Sequence, residues 1–202
     1  MPAGDRAEVL EQLLGKTPKD ATDHVSVQNE IRSFLMKAGK AAFVEETFIK
    51  FGKAIELILE LGGIPCYPTL ADGASPITNF EGPVETLIAN VKARGFYCAE
   101  FIPLRNKPEV LVEYVTAMRK AGLVVTAGTE HNTLDLIPFE PACLGDAPVP
   151  AEIADIFWEG ACVQAAHQFL VLHGETGFVD ANGKPNGNYA SDEQRIAAFA
   201  QL

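Results

Sequence analysis

The sequence predicts an α/β fold in which short parallel strands alternate with helices. Two observations carry this. Between Glu45 and Ala127 the chain runs three times through the same order: a helical stretch, a glycine, a short apolar run, then a polar loop. The second is scale: 202 residues, 48% of them apolar and 21% charged, suit one globular domain with a proper core.

The elements follow in order. Asp5 to Gly15 (DRAEVLEQLLG) places Val9, Leu10, Leu13 and Leu14 on one helical face, with Gly15 as the stop. Lys16 to Asp23 is a polar connector. Val25 to Lys37 returns to helical spacing through Val27, Ile31, Phe34 and Leu35. Glu45 to Leu61 reads as a longer helix with Phe48, Phe51, Ile55, Ile58 and Leu59 inward. Gly62-Gly63 stops it, and Ile64 to Tyr67 is the first strand, closed by Pro68. Leu70 to Gly82 is a loop rich in Gly, Pro, Asp and Ser. Pro83 opens the next helix at its first turn, to Arg94, with Leu87, Ile88 and Val91 in the core. Phe96 to Ile102 is the second strand. Lys107 to Lys120 is a helix burying Val112, Val115 and Met118, and Leu123 to Ala127 is the third strand. Beyond Pro150 a helical run, Ala151 to His173, is followed by a Gly/Asn-rich loop and a last helix from Asp192 to Leu202. This divides the chain into an N-terminal helix and connector (1–24), a βα region (25–150) and a C-terminal helical extension (151–202).

Charge narrows the partners. A net charge of −11 opposes nucleic acid and anionic membranes, which need a positive surface field. No leader-like segment stands at Met1, and no apolar run approaches the ~18 residues of a membrane span, so the expectation is a soluble, cytoplasmic protein. Cys66, Cys98, Cys143 and Cys162 form no CxxC and no regular spacing and read as buried free thiols; Cys66, Cys98 and Cys162 sit in apolar surroundings, where a thiol behaves as a small hydrophobe.

In open α/β sheets and barrels, ligands sit beyond the carboxyl ends of the strands. The polar groups at those loop starts are Tyr67, Asp72, Arg105, Asn106, Glu130 and His131. Glu130 reads as a ligand or base, or else as a carboxylate bonded to neighbouring backbone N–H groups. His131 reads as a ligand or as a satisfied histidine. Adjacent strand residues point to opposite faces, so both can serve one site only where the strand has ended or bulged, and Gly128 permits that break. His24, His167 and His173 read as structural. Glycine-rich phosphate loops, metal-binding HExxH and nucleophile elbows are absent from the sequence.

Three segments, in order, resemble the later part of the PHP family, the polymerase and histidinol phosphatase metal-dependent phosphoesterases. AIELILELGGIPCYP (Ala54 to Pro68) resembles that family's helix, Gly-Gly, strand and closing His-Pro. GFYCAEFIPLRNKPEVLVEYVTAMRKAGLVVTAGTEHN (Gly95 to Asn132) resembles its next two units: a strand carrying a Glu, an Arg-His-Ser loop, a helix, and a strand ending Gly-Ser-Asp-x-His. IRSFLMKAGKAAFVEETF resembles the helical region before them. The likeness covers about Val25 to Asn132. It implies a partial or distorted TIM-like barrel with extra C-terminal helices.

At the family's metal-ligand positions this chain departs. The His-Pro histidine falls on Tyr67, the loop histidine on Asn106, the final aspartate on Glu130 and the final histidine on Asn132, with His131 one place early. The family's opening His-x-His has no counterpart, which implies that 1–202 is the C-terminal part of a longer protein or a truncated reading frame. Two functions follow from the resemblance. One is a hydrolase binding a divalent metal (Zn, Mn or Fe) through Glu130 and His131, with Arg105 holding a phosphorylated substrate beside Tyr67, Asn106 and Asp72. The other is a degenerate, non-catalytic domain that binds a small polar ligand or a partner chain, with homodimerisation covering the open strand edges.

Overall fold

The computed structural model describes residues 3–45, 47–131 and 138–202. These fall into two compact units: one comprises the N-terminal segment up to Ile49 together with His131, the other Lys50–Glu130 and Pro138–Leu202.

The N-terminal unit is helical. Helix α1 (Ala3–Leu14) buries Leu10 and Leu14 but leaves Val9 and Leu13 exposed, so its apolar face is narrower than the spacing predicts. Helix α2 (His24–Ile31) is capped by Asp23, whose carboxylate accepts from Val25 N and Ser26 N, and it widens into a π-helical turn over Arg32–Met36. The buried carboxylate of Glu30 binds the Lys16 ammonium and accepts from Lys19 N at 3.1 Å, tying the connector back onto α2.

The second unit carries the sheet. Helix α3 spans Phe51–Glu60, so the helix expected from Glu45 starts six residues late. Lys50 is extended, and Phe48 and Phe51, expected inward, are exposed. Thr47 and Ile49 are β-branched and no capping side chain precedes them, so nothing local favours helix before Phe51.

Strands β1 (Cys66–Thr69), β2 (Cys98–Phe101) and β3 (Val124–Ala127) form an open parallel sheet in the order β1-β2-β3. The register aligns Tyr67 with Ala99 and Val125. The parallel βα arrangement is therefore as the sequence predicts. Strand β1 sits two residues later than expected and runs through Pro68. An edge strand tolerates this, because one of its sides needs no ladder N–H.

Helices α4 (Val84–Ala93) and α5 (Pro108–Lys120) connect the strands, and α6 (Ala151–Leu172) and α7 (Asp192–Phe199) complete the unit. The sheet separates two apolar clusters. On one face Ala99, Phe101 and Val125 pack with Leu87, Val91, Leu111, Val115 and Met118; on the other, Cys98 and Val124 pack with Val163, Ala166, Phe178, Ile196 and Phe199. Gly160 lets α6 approach β3: a methyl group there would lie 2.1 Å from Val125 O. Among the described residues there are seven α-helices and one three-stranded sheet that does not close, and none of the helices is long and apolar enough to cross a membrane.

Candidate functional site

The carboxyl ends of β1, β2 and β3 deliver three loops to one rim. The first is organised by a carboxylate. Glu81 is 3% exposed; Oε2 accepts from Ala71 N (2.6 Å) and Leu70 N (3.1 Å), and Oε1 accepts from the Tyr67 hydroxyl (2.9 Å). The backbone carbonyl of Glu81 accepts from the Tyr114 hydroxyl at 3.0 Å. A buried carboxylate is retained only with several donors of this kind. Tyr67 is thereby committed: its ring lies 5.5 Å from Phe80 and 6.0 Å from Phe96, and burial, then the bond to Glu81, push its phenol well above the ordinary tyrosine range.

The second loop meets the first. Lys107 N donates to Asp72 Oδ2 at 3.3 Å, and Gly73 packs so closely on Arg105 that a methyl group there would be 3.1 Å from Arg105 Cβ. Asn106 is fully buried; its amide donates to Ile102 O at 2.9 Å, while its backbone carbonyl accepts from Leu144 N at 2.9 Å. Three buried oxygens in this region have no hydrogen-bond partner among the described residues: Thr69 Oγ1, Asp72 Oδ1 and Asn106 Oδ1. At the third loop Arg105 donates to Glu130 Oε2 at 2.6 Å, with both side chains partly exposed. Just before it, Gly128 leaves room for a carboxylate: a methyl group there would lie 2.7 Å from Glu100 Oε1.

Of the residues proposed from sequence, Asp72, Arg105, Asn106 and Glu130 thus follow the strands at one end of the sheet, whereas Tyr67 lies within β1 and reaches the first loop through its hydroxyl bond to Glu81. His131 is exposed and belongs to the other unit. Asn132 lies outside the described residues. Glu81 and Glu100 were not among the proposed site residues. Glu81 stands in a loop that reads only as turn-forming, and its signal was a lone acid between Phe80 and Gly82. Glu100 lies on the strand where the family resemblance places a Glu.

Three of the positions at which the resembled family carries metal ligands make hydrogen bonds within this protein, Glu130 being one of the two residues expected to bind a metal. Tyr67 is bonded to Glu81, Asn106 turns its amide N–H onto Ile102 O, and Glu130 is paired with Arg105. Neutral phenol and amide groups are weak substitutes for imidazole and carboxylate at a Zn, Mn or Fe centre. Among the described residues no three His, Cys, Asp or Glu side chains stand close enough to share an ion.

Backbone strain gathers at the same end. Among the described residues three that are not glycine adopt positive φ: Ala71 (44°), Glu130 (56°) and Asp146 (59°). Ala71 follows β1 and Glu130 follows β3. Asp146 closes the turn whose Leu144 N bonds to Asn106 O. Such conformations cost of order 1–3 kcal/mol each and concentrate at functional sites.

Comparison with protein-family models, with curated proteins and with solved structures finds no match for this chain.

Proposed function

We propose that the carboxyl end of the sheet binds a small polar molecule without a metal, in a PHP-like domain whose ligand positions have been converted to hydrogen-bonding groups. The observation that carries this reading is the gathering of all three left-handed, non-glycine residues of the described chain on the loops of one rim. A scaffold that only needed to be stable would place glycine at those positions, as it does at Gly62, Gly95 and Gly122.

The chemistry of the rim describes its ligand. Asp72 Oδ1 and Asn106 Oδ1 are acceptors that lack donors, and the nearby cation, Arg105, is neutralised by Glu130. A ligand rich in N–H or O–H donors, such as a polyol or a primary amine, complements this arrangement. A phosphate ester would have to displace Glu130 from Arg105.

A second reading, the metal-dependent hydrolase, is favoured by one feature. Glu100 and Glu130 are both carboxylates at neighbouring strand ends, with Gly128 making room for the first. It requires further donors from outside the described residues. Purified protein analysed for bound metal, and then titrated calorimetrically with a panel of polyols, amines and phosphate esters, separates the two. Saturable binding of a donor-rich compound by metal-free protein, lost in Asp72→Ala, is expected. Stoichiometric Zn, Mn or Fe with aryl phosphatase activity would overturn the binding reading in favour of the hydrolase.

A further inference from the structure

Cys66 and Cys98 are register partners on neighbouring parallel strands, so their side chains leave the same face of the sheet. That face is the one covered by α6 and α7, away from the Tyr67 rim. The Gln164 amide of α6 donates a hydrogen bond to Cys98 Sγ at 3.4 Å. Cys98 is fully buried, whereas Cys66 is only half-buried. Gln164 also lines a cavity of about 210 Å³ with Gly63, Ile64, His167 and Gln168, so the amide that touches Cys98 borders a space able to admit a small molecule. Glu100, next but one to Cys98 along β2, and Arg195, which stacks on Phe178, are charged groups near this face. Adjacent parallel strands lie about 4.8 Å apart, inside the Cα separation of roughly 4.4–6.8 Å that a disulfide spans.

We propose that Cys66 and Cys98 form a peroxide-sensitive dithiol, a modification site at which one hydroperoxide converts the two thiols into a disulfide joining β1 to β2. The Gln164 amide points at Cys98 Sγ and stabilises negative charge on it, so Cys98 is the sulfur that reacts first. Its thiolate attacks the hydroperoxide oxygen. The O–O bond breaks, an alcohol or water leaves with a proton, and Cys98 becomes a sulfenic acid. Cys66 then loses its proton and attacks the Cys98 sulfur; the S–S bond forms, the S–O bond breaks, and water departs. The net change is two thiols and one hydroperoxide giving one disulfide, one alcohol or water, and one further water. Gln164 touches the reacting sulfur and positions it.

The test uses the whole reduced chain treated with hydrogen peroxide, then alkylated after unfolding. Two of the four thiols should be lost, the mass should fall by two hydrogens, and a peptide map without reductant should show Cys66 joined to Cys98. In Cys66→Ser the reaction should stop at a sulfenic acid on Cys98, trapped by dimedone, whereas Cys162→Ser should behave as wild type. Retention of all four thiols, a linkage through Cys143 or Cys162, or sulfinic acid without a disulfide would each overturn the assignment.

Discussion

The two ends of the three-stranded sheet are built by different rules. At the amino end, where Tyr97 and Gly122 lead into β2 and β3, polar groups are locked by packing. Arg195 is 2% exposed, donates to Asp192 at 2.8 Å, and stacks over Phe178 (4.3 Å) and Tyr97 (5.3 Å). Asp192 in turn fills the space over Gly122, where a methyl group would lie 2.6 Å from Asp192 Cβ. Nearby, Arg119 bridges Glu159 and Glu193, joining α5 to α6 and α7. At the carboxyl end three left-handed residues are not glycine, beside Gly145, and among the described residues three buried oxygens lack donors, against one unpartnered buried nitrogen, Arg195 Nε, at the amino end. One end of a βα sheet is spent on holding the layers together and the other keeps strain and open hydrogen-bonding capacity. The contrast is what supports the rim, rather than the amino end, as the proposed binding site.

Breaking the amino end should cost most. Removing the buried Arg195 leaves the partly exposed Asp192 with Lys92 alone to offset its charge, and the guanidinium also contributes its two ring contacts. Arg195→Met should lower stability by about 3 kcal/mol, near the bottom of the range for buried pairs because Lys92 stands 3.7 Å from Asp192 and shares its charge. Urea unfolding followed by circular dichroism gives the figure. A midpoint equal to wild type would mean that the amino end is no more firmly built than the rim.

A carboxyl-end substitution should cost less stability and more binding. Glu81→Gln preserves size but removes the charge from bonds donated by Ala71 N, Leu70 N and the Tyr67 hydroxyl. Charge-assisted bonds are roughly twice as strong as neutral ones, so a loss of about 1.5 kcal/mol is expected. Because Glu81 fixes the loop carrying strained Ala71, the variant should also lose the binding proposed for the rim. Unfolding and calorimetry on one preparation test both; a variant that binds as wild type does would detach Glu81 from the site.

Much of this architecture was legible in the chain. Gly62, Gly95 and Gly122 terminate α3, α4 and α5 at positive φ, so the glycine that follows each helical stretch marks each βα unit. The start of α3 was not legible, because Phe48 and Phe51 satisfy helical spacing without being buried. At the rim, residue types and strand-end positions identified Tyr67, Asp72, Arg105, Asn106 and Glu130, but not their partners. The pairing of Arg105 with Glu130 spans 25 positions, and Tyr67 with Glu81 spans 14, both set by loop geometry that periodicity does not encode. Arg195 lay in a helix that spacing identified, yet nothing local announced that its charge would be buried.

His167 gives the smallest and most specific effect, again at the amino end. Its ring contacts Gly62 O at 3.1 Å, ahead of β1, and its Nδ1 accepts from Phe178 N at 2.9 Å. A nitrogen that accepts from a backbone amide cannot also carry a proton, and burial is the larger cause holding the imidazole below its ordinary range. With a folded value below the unfolded one near 6.5, the unfolded chain binds the extra proton first. Stability is then undiminished above about pH 6.5 and falls as the pH drops from there toward the folded value. The urea midpoint should decline between about pH 7.5 and 5.5 in wild type and decline less steeply in His167→Gln, which keeps an acceptor for Phe178 N without a titrating group. Parallel declines in the two proteins would mean that the imidazole stays solvated enough to protonate in place, and the amino end would lose one of its locked groups.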